Sequence, residues 1–320
     1  MKRSVIQKTT SVGAVLLVLA FSAAVAAEKE RYEEPFEKIL ALAKDGKVQI
    51  SNISGDIEVR SWSESQVKVK AVKVSRASSV SQAKENAAKV TIEITTEGNV
   101  LRIETRYPKS GRFWGGESVN VSVNYWLWIP EKAGLKVKNI SGDIDVEGTA
   151  GVLDLSAISG DVNLRKSSGR AECNTISGDL EISGIAGDVF LKSVSGDITA
   201  YRIKGSIEAE TVSGDVELKE VSEASTVRVK ALSGEIVYSG DINPAGTYSL
   251  KSHSGSVELY LPANSAFDFA AETFSGNITT DFEIKVTGKI SPKEMSGVVG
   301  GGGATVKLSS FSGDIKLKKS

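Results

Sequence analysis

A nine-residue repeat constrains this chain more than any other feature of its sequence. The tripeptide Ser-Gly-Asp recurs every 18 residues, beginning at Ser141, Ser159, Ser177, Ser195 and Ser213. Weaker copies lie between these tripeptides, so a glycine falls at every ninth position from Gly142 to Gly214. A fixed short period is typical of solenoids, in which each repeat is one unit that stacks on its neighbours.

Apolar residues occupy fixed places in each unit. They lie two residues before the glycine, two after it and four after it, as Ile176, Leu180 and Ile182 do around Gly178. We interpret all three as inward, because a period of two indicates a strand with one buried face, and the glycine as a turn residue with positive φ. Two turns close a flattened coil, and coils stack about 4.8 Å apart through parallel pairing. Since crossovers are right-handed by strong preference, we predict an all-β, right-handed flattened β-solenoid with 18-residue coils of two nine-residue units.

The repeat also divides the chain. Residues 28–320 are predicted to form a single β-solenoid domain. Its first coil is expected at 44–65, its regular coils at 135–280, and looser C-terminal coils at 281–320. Between the first coil and the regular ones, residues 66–134 break the period and are predicted to form an insert of cap-like strands and one short helix.

Two segments near the N-terminus allow a local prediction. Pro35 to Ala43 fits a helix by composition and a strand by context, and we favour the strand. The charged residues 28–34 are expected to fray. Arg76 to Lys89 is the only persuasive helix, and Ser79 or Ser81 is a suitable N-cap.

Residues 1–27 have the pattern of a secretory signal peptide. Basic residues at the start precede an apolar run from Val12 to Ala24 and a small-residue cleavage site, Ala24-Val25-Ala26-Ala27. The alternative is a membrane anchor helix, but the apolar run is shorter than the roughly 20 residues that a span requires. The cleavage region has no cysteine, so a lipoprotein is not expected. We predict an exported protein, periplasmic or at the cell surface, with no transmembrane segment after signal cleavage.

Charge and cysteine content exclude several classes of protein. The chain has 39 basic and 40 acidic residues, and removal of the signal takes away three basic residues and no acidic one. A mild excess of negative charge argues against nucleic acid as a partner. The only cysteine is Cys173, so the mature chain has no internal disulfide.

The repeated aspartates invite two interpretations. They occupy the same position in successive coils, so they should stack along one edge: Asp143, Asp161, Asp179, Asp197 and Asp215. In the structural interpretation they are turn residues on a solvated acidic edge, each bonded to the backbone of its own turn. The alternative is a ladder of weak Ca²⁺ sites, since nonapeptide Ca²⁺-binding repeats have the same period. Those repeats need Gly-Gly-x-Gly-x-Asp, which most turns here lack.

The sequence offers little for catalysis. Cys173, four residues after Gly169, is predicted to be a buried apolar residue rather than a nucleophile. His253, two residues before Gly255, is also predicted to lie in an inward row. With one histidine and one cysteine in the chain, no catalytic residue, metal ligand set or cofactor is predicted.

Aromatic residues in the insert are the best candidates for ligand contact. Phe113 and Trp114 lie on a glycine-flanked loop, where they either bind a ligand or cap the end of the solenoid. Trp126 and Trp128 share one strand face and are interpreted as core or cap packing.

An ordered series of segments carries a resemblance to a known family. The series consists of residues 35–75, the helix at 76–89, and residues 123–148, 257–278 and 301–317. The chain resembles the bacterial putative-adhesin family of exported β-strand-repeat proteins of unknown function, which is related to the head domains of autotransporter-like adhesins. The resemblance covers nearly all of the mature chain and implies a β-solenoid and an exported location. It brings no catalytic residues.

Three functions remain open. The first is a non-enzymatic adhesin-like or scaffold protein of the bacterial envelope, which binds an envelope protein or a polysaccharide through its solenoid surface or insert loop. The alternative is a polysaccharide-active enzyme, in which Glu181 and Glu217, two coils or roughly 10 Å apart, would form a carboxylate pair. The third is a self-assembling element, because end coils have unpaired edges. Since the insert and the Gly-rich segment 297–303 have the features of caps, we expect a monomer.

Overall fold

The computed structural model of the protein describes residues 29–108 and 119–320. Within these ranges the chain forms 27 strands and one helix, numbered in chain order. They are β1 (Glu30–Ala41), β2 (Lys47–Ser54), β3 (Ile57–Trp62), β4 (Gln66–Ala77), α1 (Val80–Ala88), β5 (Thr91–Glu97), β6 (Val100–Arg106), β7 (Val121–Pro130), β8 (Gly134–Ser141), β9 (Ile144–Glu147), β10 (Leu153–Ser159), β11 (Val162–Arg165), β12 (Ala171–Ser177), β13 (Leu180–Ala186), β14 (Val189–Ser195), β15 (Ile198–Lys204), β16 (Ile207–Ser213), β17 (Val216–Ser222), β18 (Thr226–Ser233), β19 (Ile236–Gly240), β20 (Thr247–Ser254), β21 (Val257–Leu261), β22 (Phe267–Thr273), β23 (Ile278–Thr280), β24 (Lys285–Ile290), β25 (Glu294–Val299), β26 (Ala304–Ser312) and β27 (Ile315–Lys319).

The strands form two long sheets whose inward rows share one apolar core. Through the middle of the chain, even-numbered strands from β8 to β20 lie side by side in a 14-stranded sheet, and odd-numbered strands from β9 to β21 lie in a 13-stranded sheet. Leu153 lies opposite Ala171, and Val162 opposite Leu180, so neighbouring parallel strands are one 18-residue coil apart. The predicted β-solenoid is confirmed.

The coils at both ends do not stack in chain order. At the N-terminal end, the coil made of β2 and β3 lies between the coil of β6 and β7 and the coil of β8 and β9, with parallel pairing on both sides. At the C-terminal end, β26 and β27 lie between the coil of β20 and β21 and the coil of β22 and β23. The last clean repeat in the sequence is therefore enclosed, and the hairpin of β24 and β25 pairs antiparallel at the end of the 14-stranded sheet.

The N-terminal segments end the 13-stranded sheet. Residues 30–41 form one strand, which confirms the strand prediction, and the expected fraying of its charged start is wrong because β1 pairs with β4 along its whole length. The helix α1 begins after Ser79, whose side chain accepts a hydrogen bond from the backbone N–H of Gln82. This nine-residue helix is far too short to cross a bilayer, and the described ranges contain no helix that meets that requirement.

The inward rows two and four residues after each Ser-Gly-Asp glycine are buried as predicted, but the row two residues before it is not. Ile176 is 50% exposed, whereas Ile185, at the same offset before Gly187, is 1% exposed. The prediction that both point inward is wrong for the Ser-Gly-Asp turns. In β12, Ala171, Cys173 and Thr175 are buried, so strict alternation places Ile176 outside.

A backbone kink accounts for the difference between the two turns. Gly184 has a φ of +64°, and this left-handed residue inserts one extra outward position between Ile182 and Ile185. The strands from β8 to β20 of the 14-stranded sheet, all within the described ranges, have no such residue before the Ser-Gly-Asp turn. We call the kinked bends, around residues 148–152, 166–170, 184–188, 202–206 and 220–224, the opposite turns.

Buried polar side chains fasten the Ser-Gly-Asp turns. Thr175 Oγ1 donates to the carbonyl oxygen of Gly160 at 3.2 Å, and Ser252 Oγ donates to that of Gly234 at 3.0 Å. We call this set the latch row. Each member donates to a turn glycine, and the members are Asn52, Asn139, Thr175, Ser193, Thr211, Ser252, Thr273 and Ser310.

The two residues with reactive side chains lie in different environments. Cys173 is fully buried, as predicted, and burial raises the pKa of its thiol to about 12. His253 is exposed and its ring stacks on that of Phe311 at 4.8 Å. His253 has the same offset before its glycine as Ile176, and strand alternation places it on the outer face. The prediction that His253 lies in an inward row is therefore wrong.

Candidate binding surface

A continuous row of apolar side chains is exposed on the outer face of the 14-stranded sheet. Each residue lies two positions before a Ser-Gly-Asp-type glycine, and the apolar members are between 40% and 73% exposed. We call the row the apolar ladder. In spatial order it consists of Ile53, Ile140, Ile158, Ile176, Val194, Val212, Leu232, His253, Phe311 and Phe274.

Strand register makes the ladder straight. The serine that follows each rung lies opposite its counterpart in the next strand, as Ser159 lies opposite Ser177. With neighbouring strands about 4.8 Å apart, ten rungs extend over about 43 Å. At the C-terminal end the rings of His253, Phe311 and Phe274 form a continuous stack, in which the two phenylalanine rings are 4.8 Å apart and nearly parallel.

An acidic row follows one side of the ladder, beyond the serines. Asp161 Oδ1 accepts the backbone N–H of Asp179 at 2.8 Å, and Asp179 Oδ1 accepts that of Asp197 at 2.8 Å. The expectation that each aspartate bonds its own turn is therefore replaced by bonds between neighbouring coils. Among the residues that the structure describes, no group of three or more histidine, cysteine or acidic side chains is arranged to hold a metal ion.

A lysine-containing row follows the other side of the ladder. It lies two residues before the rungs, and Lys138, Lys192, Lys230 and Lys251 are its exposed basic members. Lys230 Nζ donates to Glu210 at 2.7 Å, and this hydrogen bond is the main reason why the pKa of the Glu210 carboxyl lies below its ordinary value. Within the described ranges, Lys138 and Lys251 make no side-chain hydrogen bond or ion pair.

Two depressions lie beside the ladder, one near each end. At the N-terminal end, a depression of about 500 Å³ is lined by Ile53, Ile140 and Ile158. Asn52 and Asn139 also line it, and their buried side-chain oxygens have no hydrogen-bond donor among the described residues. At the C-terminal end, a depression of about 460 Å³ is lined by the three stacked rings and by Lys251.

The aromatic candidates from the sequence lie elsewhere. Phe113 and Trp114 fall outside the described residues. Trp126 and Trp128 are on the outer face of the 13-stranded sheet and half-buried, so they are not core residues. The ammonium groups of Lys68 and Lys70 lie over the Trp128 ring, at 5.5 and 5.9 Å from its centroid.

The groups with perturbed pKa values are mainly structural. Burial raises the pKa of Tyr107 to about 12 and raises that of Tyr125, whose hydroxyl is 2.7 Å from Thr105 Oγ1 inside the core. Glu181 and Glu217 lie two strands apart, each opposite Thr199 in the outward row of the 13-stranded sheet.

The ladder is the feature that the repeat pattern did not predict. Its residues were assigned inward because they are apolar and because Ile185 has the same offset from a glycine. The signal that identifies them is strand alternation. Ile176 lies three positions after the inward residue Cys173, and an odd number of positions along a strand places a side chain on the opposite, outer face.

Known proteins give a family but no activity. The family model described as Toastrack DUF4097 matches residues 46–318. No curated protein matches the chain.

Several solved structures are weakly similar to the chain. A putative adhesin from Bacteroides fragilis NCTC 9343 is 12% identical over 89% of this chain and 97% of its own, with a TM-score of 0.40. A putative adhesin from Parabacteroides distasonis ATCC 8503 has the same identity and shares, with a TM-score of 0.48. A putative lipid binding protein from the same organism is 10% identical over the same shares, with a TM-score of 0.36. These identities and TM-scores are too low to transfer a function. The family model matches most of the chain, and the chain therefore belongs to the Toastrack DUF4097 family.

Proposed function

We propose that this protein is a non-enzymatic, exported adhesin-like or scaffold protein of the bacterial envelope. It binds an envelope protein or a polysaccharide through the apolar ladder. The observation that carries the proposal is the ladder itself, a row of ten exposed side chains on ten stacked coils, of which nine are apolar and one is His253.

Folding alone does not require this row to be apolar. On the same outer face, the neighbouring row carries lysine, glutamate, serine and asparagine. The strands pair there in the same parallel register. Extended apolar patches are uncommon on soluble monomers and are typical of interaction sites. Solenoids present such faces to extended partners.

The exported location is supported by the sequence of the leader. Residues 1–27 combine basic residues, an apolar run and a small-residue cleavage site.

Capture from the envelope fraction tests the proposal. The mature chain is immobilised and compared with the triple variant Ile158→Thr, Ile176→Thr, Val212→Thr, which keeps β-branched side chains but removes apolar surface. We expect capture to weaken about tenfold or more, corresponding to about 1.4 kcal/mol.

A matched control uses exposed apolar residues away from the ladder. Ile39→Thr, Val152→Thr and Ile290→Thr remove the same chemistry from side chains that are at least as exposed. Equal loss in both triples would overturn the ladder as the binding surface. Trp114→Ala in the same assay tests the proposed contact of the Phe113–Trp114 loop separately.

A further inference from the structure

We propose that the partner of the apolar ladder is a second copy of this chain. The two copies pack ladder against ladder, related by a two-fold axis that runs parallel to the ladder. This inference rests on the proposed binding function of the ladder and names its partner.

The spacing of the rungs is the first argument. A partner must cover a straight row about 43 Å long whose side chains repeat about every 4.8 Å. A second copy has the same rise per coil, so the two rows stay in register from Ile53 to Phe274. Each rung then meets the same rung of the other copy, aliphatic against aliphatic and ring against ring.

The charges beside the ladder select the orientation. One side carries the aspartate row. The other carries four lysines, Lys138, Lys192, Lys230 and Lys251, against two glutamates, Glu210 and Glu272, so its net charge is positive. Rotation about an axis parallel to the ladder exchanges the two sides, so the lysines of each copy face the aspartates of the other. Rotation about the perpendicular axis in the interface would place like charges together, which costs free energy in an interface.

The size of the surface limits the strength of the pair. From the lysine-containing row to the serine at the strand end the strip is about 10 Å wide, three residues at about 3.4 Å each. Over a length of about 43 Å its flat area is about 430 Å² on each copy, below the roughly 800 Å² per partner of a standard interface, so we expect a weak dimer. A closed two-fold pair covers the whole strip on both copies and leaves none of it exposed.

The ladder also has a defined end. In β6, the next strand beyond Ile53, the equivalent position is Arg106, which pairs with Glu93 at 3.0 Å and Glu104 at 3.2 Å. A charged, internally paired residue stops the apolar row there, so the interface length is set by the chain itself.

Mass and crosslinking of the mature chain test the proposal. Sedimentation equilibrium across the micromolar range should give a dimer. The variant Ile158→Thr, Ile176→Thr, Val212→Thr should raise the dimer dissociation constant at least tenfold. The control Ile39→Thr, Val152→Thr, Ile290→Thr should leave it unchanged.

A single cysteine distinguishes the two orientations. Ile140 lies away from the middle of the ladder, so in Ile140→Cys the new thiol meets its own copy only when the axis is parallel to the ladder. Mild oxidation should then give a covalent dimer, whereas Val152→Cys should give none, and the native Cys173 is buried and unreactive. A dimer in which Ile140→Cys fails to crosslink overturns the orientation.

The remaining outcomes separate this inference from the proposed function. A monomer at all concentrations, with envelope capture that still depends on the ladder, overturns the second copy and leaves the ladder as a site for another protein or a polysaccharide. A dimer that survives the ladder triple overturns this interface. Loss of any ladder dependence in both mass and capture overturns both proposals.

Discussion

Each coil of this solenoid turns twice, and the two turns are built differently. At the Ser-Gly-Asp turn, Gly178 has a φ of +153°, and a Cβ there would overlap the carbonyl oxygen of Gly160 in the coil before. At the opposite turn, Gly184 has a φ of +64°, and a Cβ on it would have its nearest neighbouring atom 3.8 Å away. The same kink is made by Lys166 and Arg202 in neighbouring coils.

The difference shows where the repeat is constrained by contact between coils. Stacked backbone, the latch row and the aspartate bonds all meet at the Ser-Gly-Asp turn, so its tripeptide recurs with little change. The opposite turn has the same close contact at Gly187, whose Cβ would lie 2.1 Å from the carbonyl oxygen of Gly169. Its kink position differs, because it is limited mainly by backbone dihedral angles, which lysine, arginine and glutamate also adopt here at some cost. This explains why the 18-residue period is strong, the nine-residue period is weak, and the two-residue insertion lies near Glu223.

A methyl group on each glycine gives the largest contrast between the Ser-Gly-Asp turn and the kink of the opposite turn. Gly178→Ala should lower the free energy of unfolding by about 3 kcal/mol or more, because the new Cβ meets backbone and the dihedral angles are strained. Gly184→Ala should cost only about 1 kcal/mol, the left-handed strain alone. Urea denaturation of both variants measures the difference, and equal losses would contradict the proposed role of coil contact.

The isoleucines before the two turns test the faces that the structure assigns. Ile185→Ala should cost about 2–5 kcal/mol, as large-to-small changes in a core do. Ile176→Ala, at the same offset before its glycine, should change stability by less than about 0.5 kcal/mol. Thermal and urea unfolding of the pair decide this, and a large loss in Ile176→Ala would place the ladder inside.

Removal of one latch should have an intermediate effect. Thr175→Val keeps the side-chain shape but leaves the carbonyl oxygen of Gly160 without its donor, which should cost about 1–3 kcal/mol. Thr199→Val is the control, because that threonine is exposed on the outer face of the 13-stranded sheet. If the two variants unfold at the same urea concentration, the latch row does not stabilise the turn.

The smallest effect is expected at Lys166, where two contributions oppose each other. Lys166→Gly relieves the strain of a φ of +50° but removes the hydrogen bond from Lys166 to Glu147. In the parent chain this hydrogen bond holds the pKa of the Glu147 carboxyl below its ordinary value. A lowered folded-state pKa means that the ion pair stabilises the fold above the ordinary pKa of the carboxyl and is lost as the pH falls through the folded value. The net stabilisation by glycine, under about 1 kcal/mol, should therefore increase in acid.

Lys166→Met separates the two contributions. It keeps the strained backbone and removes the ion pair, so it should be less stable than the parent chain at neutral pH and equal to it in acid. Urea denaturation at both pH values is the measurement. A pH-independent difference for both variants would show that the Glu147 ion pair contributes nothing.

The architecture could be predicted from the sequence because every coil makes the same strand-pairing contacts with the next coil, and these contacts impose a regular period on the sequence. The glycines and the residues at Leu180 and Ile182 follow directly from a turn and a strand with one buried face. The helix start, expected at Ser79 or Ser81 and found at Ser79, follows from capping chemistry. These features depend on residues close together in the chain.

Two features could not be predicted in the same way. The order of the end coils depends on pairing between distant segments, such as Val257 with Ile315, and all coils present nearly the same pattern to a neighbour. Ile176 and Ile185 have the same spacing from a glycine but point to opposite faces, because β13 has a kink at Gly184 and β12 has none. The ladder, and with it the candidate site, was hidden by that assumption.

The enclosed end coils have a consequence for how such a protein is made and how it can change. The coil of β2 and β3 leaves the ribosome first, yet one of its neighbours, β6 and β7, ends at Pro130 and the other, β8 and β9, ends at Glu147. It cannot complete its pairing until nearly half of the chain has been synthesised. Duplication of a coil at either terminus would also break an existing pairing, so a longer relative must gain its coils from the middle.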